Sequence, residues 1–102
     1  MSEELDTMTA EEINQAFKAA GDSVSLINAV VADPDATDES GTKKYKTDED
    51  PDAKDLVGRN VAHLRIISGK DWYSSDSESR SAPADKTSIA SAISAGGSFV
   101  NA

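Results

Sequence analysis

One helical pattern constrains the fold of this chain more than any other feature. Its apolar residues are spaced alternately four and three positions apart, so they share one face of an α-helix. They are Ile13, Phe17, Ala20, Val24, Ile27 and Val31. Thr9 and Glu12, just before them, form a capping box in which each side chain can accept the other residue's backbone N–H. We predict a helix over about residues 10–32, ending before Pro34, because the residue preceding a proline avoids helical geometry.

The same helix carries a second apolar stripe, turned by roughly 100° from the first. Small side chains dominate this stripe, which consists of Ala16, Ala19, Ser23, Leu26 and Val30. A helix with two apolar stripes can bury both only against two neighbouring elements. We therefore expect this helix to contact two other helices.

Two more helical patterns follow in the second half of the chain. The first has its apolar face at Leu56, Val57, Val61, Leu64 and Ile67. It predicts a helix over about residues 54–69, with Gly69 as its C-terminal stop. The second predicts a helix over about residues 86–100. Either this helix ends early at Gly96 and Gly97, or Ala92 and Gly96 form a small-residue notch against another helix; the in-phase Phe99 and Val100 favour the notch. The predicted fold is all-α: an antiparallel helical hairpin plus a shorter C-terminal helix, resembling a three-helix bundle with a long acidic loop.

The two connections differ in what they can contribute to a core. Residues 33–53 are rich in acidic residues and have no apolar period, so we expect a mobile loop that adds nothing to the core. In the second connection, Trp72 and Tyr73 are expected to cover the open end of the core. The serine-rich residues 74–81 after them are expected to be solvated. With 102 residues, the whole chain, 1–102, is expected to form a single small helical domain.

Charge is distributed unevenly along the chain, which has a net charge of −9. Residues 1–32 and 33–55 each carry −5, whereas residues 56–102 carry +1. Nucleic acids and anionic membranes repel a polyanion, so we expect neither as a partner. The expected partner is another protein or a second copy of the chain, with the acidic end favouring encounter rate and specificity.

The residues that usually carry chemistry are sparse. There is no cysteine and His63 is the only histidine, so a transition-metal site would lack its usual ligands. The aspartate-rich loop from Asp48 has Ala53 and Arg59 where an EF-hand needs glycine and glutamate. No glycine-rich loop matches a phosphate-binding pattern. We expect no enzymatic activity, no cofactor, no metal and no small-molecule substrate.

A basic strip with an apolar centre lies opposite the main stripe of the second helix. It consists of Arg59, His63, Ile66 and Lys70, which we take as candidate contacts for a partner. Two interpretations of Ile66 remain open. Either the last helix or the acidic loop covers it, or it is exposed and binds a partner protein.

Three segments, Asp55–Ile66, Lys70–Trp72 and Lys86–Gly96, carry a resemblance to a known group of proteins. Together they resemble small uncharacterised helical proteins of tailed phages, including phages of marine cyanobacteria. The resemblance covers about residues 55–100 and implies a phage context. It implies no site residues.

The sequence therefore predicts a small, soluble, acidic, phage-type interaction protein, either associated with the virion or accessory to infection. It would act by packing helix faces against a partner or against itself. The alternative is an acidic inhibitor or adaptor that binds a basic host protein. Residues 1–6 lack the basic region and apolar run of a signal peptide, so we expect a location in the host cytoplasm or in the virion.

Overall fold

A computed structural model describes residues 9–46, 48 and 50–102. Within these residues the chain forms four α-helices and no strand. The helices are α1 (Ala10–Ala32), α2 (Ala53–Ser68), α3 (Tyr73–Glu78) and α4 (Lys86–Asn101). The predicted all-α class is confirmed. The bounds of α1, α2 and α4 lie within one residue of those predicted from the sequence. In the part of the chain that the structure describes, no helix is both long and apolar enough to cross a membrane.

Helix α1 begins with the predicted capping box. The backbone N–H of Glu12 donates to Thr9 Oγ1 at 3.1 Å, and the backbone N–H of Thr9 donates to Glu12 Oε1 at 3.0 Å. Two N–H groups that the helix itself leaves free are thereby bonded. The backbone N–H of Thr9, and then its hydroxyl, hold the pKa of the Glu12 carboxyl below its ordinary value.

The core forms where α1, α2 and α4 meet, and each of these helices packs against the other two. The prediction of two neighbours for α1 is therefore confirmed. Fully buried side chains come from all three helices, and the largest apolar ones are Phe17, Val24, Ile27, Val30, Val57, Leu64 and Ile89. They occupy the predicted apolar faces, so burial of these faces positions the helices.

Gly96 allows α4 to approach both of its neighbours closely. A Cβ atom at this position would lie 2.5 Å from Val61 Cγ2 on α2 and 3.1 Å from Ile27 Cγ2 on α1. Helix α4 continues past Gly96 to Asn101 without a break. The prediction of a small-residue notch at Gly96 is confirmed.

Aromatic rings cover one end of the core, as predicted for Trp72 and Tyr73. The Phe17 ring meets Trp72 edge-on, with ring centroids 5.5 Å apart, and stacks on Tyr73 at 6.0 Å. The Arg80 guanidinium lies 4.4 Å from the centre of the Phe17 ring, where the electron-rich ring face attracts a cation. The segment after α2 is thereby held against α1.

Helix α3 was not predicted, and the expectation that residues 74–81 are solvated is wrong at Ser77. This side chain is fully buried, and its hydroxyl donates to the Ser74 carbonyl oxygen at 3.5 Å. One helical turn places Tyr73 and Ser77 on the same face, because residues four apart are neighbours on a helix. Burial of Tyr73 therefore carries Ser77 into the interior.

The acidic segment between α1 and α2 makes a turn, packs Tyr45 against the core and buries Asp50. The Lys44 N–H donates to the Ala36 carbonyl at 2.9 Å, and Asp38 Oδ1 accepts the N–H of Thr42 at 3.0 Å. Tyr45 packs against the core and Asp50 is buried, so the expectation that this segment adds nothing to the core is wrong there. Mobility of residues 33–53 stays a prediction.

Candidate functional site

The candidate contact residues lie on α2 and in the turn that follows it. Ile66 is 63% exposed, the one large apolar side chain with such exposure among the residues that the structure describes. Lys70 is exposed in the turn, where its N–H donates to the Ile67 carbonyl at 3.1 Å. The interpretation that α4 or the acidic loop covers Ile66 is wrong for the described residues.

Arg59, a second candidate, is tied to the acidic segment. Its guanidinium forms an ion pair and a charge-assisted hydrogen bond with the buried Asp50 carboxylate. A buried carboxylate is costly unless it is paired, so this contact holds the end of the segment against α2. Arg59 therefore has a structural role in addition to the proposed contact.

His63 is engaged with α1 through a polar group of three side chains. Ser23, which is buried on α1, places its Oγ 2.9 Å from His63 Nδ1 and 2.9 Å from Asn60 Oδ1. The Asn60 amide donates to the Leu56 carbonyl at 2.9 Å. These contacts join two helix faces that are otherwise apolar.

A single assignment of donors and acceptors accounts for both hydrogen bonds between Ser23 and the Asn60 and His63 side chains. Because the Asn60 amide nitrogen faces a carbonyl, its Oδ1 faces Ser23 and accepts the hydroxyl proton. Ser23 Oγ then accepts from His63 Nδ1–H. In this tautomer His63 donates to Ser23 and is not placed to remove the hydroxyl proton, so the geometry differs from that of a serine–histidine nucleophile.

Sequence reasoning missed this group, although a signal for it was present. Ser23 falls within the second apolar stripe of α1, and Asn60 lies beside the main stripe of α2. Polar side chains on core-facing positions require partners when they are buried. A polar residue on the core-facing side of each of two packed helices therefore predicts a hydrogen bond between the helices. Which residues meet depends on how the helices are aligned in the folded protein, and the local sequence does not give that alignment.

A groove between α2 and α4 contains the exposed Ile66. Its volume is about 350 Å³, and its lining comprises Gly58, Val61, Ala62, Arg65, Ile66, Gly97, Val100 and Asn101. Gly58 and Ala62 are one turn apart on α2, and small side chains at such positions allow close approach of another backbone. Val61, Ile66 and Val100 supply apolar walls. The groove was not predicted.

One cation lies within this groove. Arg65 belongs to its lining, and a Cβ atom on Gly97 would lie 3.7 Å from Arg65 Nη2, so the guanidinium reaches across towards α4. Lys70 is outside the lining, in the turn after α2. Neither cation has a carboxylate or other side-chain partner within residues 9–46, 48 and 50–102. The groove lining contains no acidic side chain.

A second cleft, of about 420 Å³, lies between the acidic segment and the C-terminal end of α4, where Tyr45 and Phe99 take part in its lining. Two of its three lysines have partners on the same molecule. Lys43 pairs with Asp35 at 3.0 Å, and Lys54 Nζ donates to the Ala102 carbonyl oxygen at 2.7 Å. We therefore regard this cleft as part of the packing between the acidic segment and α4.

The described part of the chain contains no group of three His, Asp or Glu side chains placed to hold a metal ion. Comparison with protein-family models, with curated proteins and with solved structures found no match to this chain. The functional argument therefore proceeds from the surface around Ile66.

Proposed function

We propose that this chain is a small phage-type interaction protein that binds a partner protein through the surface of α2 centred on Ile66. It is either a virion component or an accessory protein made during infection. The single observation that supports this most is the 63% exposure of Ile66 at the margin of an apolar groove. Arg59, His63 and Lys70 form the polar surroundings of the contact.

Exposure of one apolar side chain is common on protein surfaces and carries no argument by itself. Ile66 differs because it continues into the apolar walls that Val61 and Val100 provide. A concave, mostly apolar site is typical of a surface that receives a group from another molecule. Full burial of an isoleucine side chain contributes about 1.5–3 kcal/mol, which is sufficient to make Ile66 the centre of a contact.

The proposed scaffold is an antiparallel hairpin of α1 and α2, completed by α4. Contacts between the hairpin helices support this arrangement. Phe17 meets Trp72, whereas Ser23, further along α1, meets His63, which precedes Trp72 in the chain. Such a scaffold holds the Ile66 surface on a rigid helix. The phage context is supported by the resemblance of residues 55–100, which include this surface.

The test compares three baits: the unchanged chain, Ile66→Glu and Ala19→Glu. Ala19 is exposed on α1, so the control adds the same charge to a helix surface away from the groove. Each bait is exposed to lysate of infected cells in about 0.5 M salt, where screening lengths are only a few ångströms. We expect the unchanged chain and Ala19→Glu to retain the same virion or infection protein, and Ile66→Glu to lose it. If all three baits retained the partner equally, the Ile66 surface would be excluded as its binding site.

The alternative function is an acidic inhibitor or adaptor that binds a basic host protein through its N-terminal half. The charge of −5 on residues 1–32 and again on residues 33–55 favours this alternative. Its binding would fall steeply with salt, because exposed charges are screened. The alternative would be supported over the main proposal if the bait released one basic host protein at about 0.5 M salt and if Ile66→Glu did not change the capture of that protein.

A further inference from the structure

We infer that the groove between α2 and α4 takes an amphipathic α-helix whose apolar face carries leucine-like side chains and whose flanks carry carboxylates. This inference rests on the proposed function and names the chemistry of the partner. It follows from two observations: the groove is apolar with a floor of small residues, and the one charged side chain in its lining, Arg65, has no carboxylate partner among the described residues.

The walls of the groove favour a helix as the occupant. Both walls are helices that bond most of their own backbone groups, so the groove offers no continuous row of free N–H and C=O groups to an extended strand. A helical segment satisfies its own backbone and presents only side chains. From Gly58 to Ile66 the groove extends ~12 Å along α2, which matches about two turns of a partner helix. Such a helix would place apolar anchors at positions i, i+3 or i+4, and i+7.

The charges favour carboxylates on that helix. Arg65 lies within the groove, and Lys70 follows α2 four residues after Ile66, so both cations lie towards the C-terminal end of α2. Neither has a carboxylate partner within residues 9–46, 48 and 50–102. A partner carboxylate near either one gains a charge-assisted hydrogen bond, whereas a partner lysine is repelled.

The overall charge of −9 does not oppose this local preference. At physiological ionic strength, charges separated by more than about 8 Å are largely screened, so contact preference depends on the nearest charges. The one charged side chain in the groove lining is Arg65.

A second copy of the chain is a poorer occupant. Among the described residues, the one large exposed apolar side chain available to fill the groove is another Ile66. A symmetric contact through Ile66 would bring the Arg65 and Lys70 side chains of two copies together. Like charges at close range oppose association.

The experiment uses two synthetic helical peptides of equal length. Both carry leucine at positions i, i+3, i+4 and i+7, but one has glutamate at the flanking positions and the other has lysine. Binding to the full chain is measured by isothermal titration calorimetry and by amide chemical shifts in NMR spectra. The expected result is that the glutamate peptide binds at least about tenfold more tightly, with shift changes centred on Ala62, Ile66 and Gly97.

Two variants test the geometry. Ile66→Glu should weaken binding of the glutamate peptide by at least about tenfold, because it removes the central apolar contact and adds repulsion. Arg65→Glu should reverse the preference, so that the lysine peptide becomes the tighter ligand. Ala19→Glu, which adds the same charge to α1, should leave both affinities within about twofold of those of the unchanged chain.

Equal binding of the two peptides, or no binding of either, would overturn the inference. A dimer of the unchanged chain that Ile66→Glu converts to a monomer, measured by sedimentation, would also overturn it, because the occupant would be a second copy. These outcomes are distinct from failure of the proposed function. If Ile66→Glu abolishes capture of the cellular partner but the peptides show no charge preference, the function stands and the partner chemistry is wrong.

Discussion

Ser23 Oγ on α1 lies 2.9 Å from His63 Nδ1 on α2, and the same oxygen lies 2.9 Å from Asn60 Oδ1. The hydroxyl therefore links two polar side chains of α2 across an otherwise apolar helix interface. The contact fixes the register between the helices, because a shift by one residue would leave a buried hydroxyl without these partners.

Ser23→Ala should lower the free energy of unfolding by about 1 kcal/mol. The substitution removes a buried hydroxyl and leaves Asn60 and His63 without its hydrogen bonds, although their partial exposure allows water to compensate in part. Ser25→Ala is the matched control, because Ser25 is exposed on the same helix. Its effect should stay within about 0.5 kcal/mol in urea unfolding. Equal effects of the two substitutions would show that the polar group does not contribute to stability.

Gly96→Ala should destabilise the fold by about 1–3 kcal/mol. The added methyl would lie 2.5 Å from Val61 Cγ2, so α2 and α4 must separate or side chains must leave their preferred rotamers. Gly58→Ala is the control, because its added methyl would meet Val100 Cγ2 at 3.8 Å, an ordinary contact. It should stabilise α2 by up to about 1 kcal/mol. If Gly96→Ala were equally stabilising in urea unfolding, the close approach at Gly96 would be wrong.

Tyr73 should make the fold sensitive to alkaline pH. Burial raises the pKa of the Tyr73 phenol above its ordinary value of 10.0, the Asp85 carboxylate adds to the rise, and a hydrogen bond with Ser77 opposes it. The unfolded chain then loses the proton at a lower pH than the folded chain does. The contribution of the protonated Tyr73 phenol to stability is therefore fully present below pH 10.0, and it is lost as the pH rises through the pKa of the folded state.

Tyr73→Phe tests this expectation, because it removes the titrating group and keeps the ring. Thermal melts over a series of alkaline pH values should show a shallower decline in Tm for Tyr73→Phe than for the unchanged chain. Parallel declines would mean that the phenol titrates alike in the folded and unfolded states.

The capping box should contribute a stability that acid removes. The pKa of the Glu12 carboxyl is lowered by the bonds from Thr9, so its contribution is present above the ordinary value of 4.5 and is lost as the pH falls through the lowered pKa. Near neutral pH, Glu12→Gln should have a lower Tm than the unchanged chain, and the gap should close below pH 4.5. In a Thr9→Ala background the gap should narrow but persist, because the backbone N–H of residue 9 still donates to the carboxylate and only the hydroxyl is lost. A gap that stays constant from neutral pH to below pH 4.5 would contradict this account.

Local signals in the sequence were sufficient to predict α1. The Thr9 and Glu12 side chains sit at the spacing of a capping box, and the apolar stripe keeps its phase throughout the helix, so both signals can be recognised without knowledge of the fold. Helix α3 could not be predicted in this way. Its burial of Ser77 depends on Tyr73 packing against Phe17 on α1, a contact between residues distant in the chain.

The candidate site could be predicted only in part. Helical spacing identified Ile66 as an outlier from the main stripe of α2, and the structure places it in an exposed position. The groove was not predictable, because it depends on the distance between α2 and α4, where the close approach occurs at Gly96. Likewise, the sequence could not show that Arg59 is tied to Asp50 whereas Arg65 faces the groove.

The most direct test of the proposed function is the affinity of the captured partner for the unchanged chain and for Ile66→Glu, with both proteins first shown to have the same helical circular dichroism. Because Ile66 is 63% exposed, its replacement should change the free energy of unfolding by less than about 0.5 kcal/mol. We predict an affinity at least about tenfold weaker for Ile66→Glu at an unchanged fold. An unchanged affinity in a folded Ile66→Glu protein would contradict the proposal that this surface of α2 binds the partner.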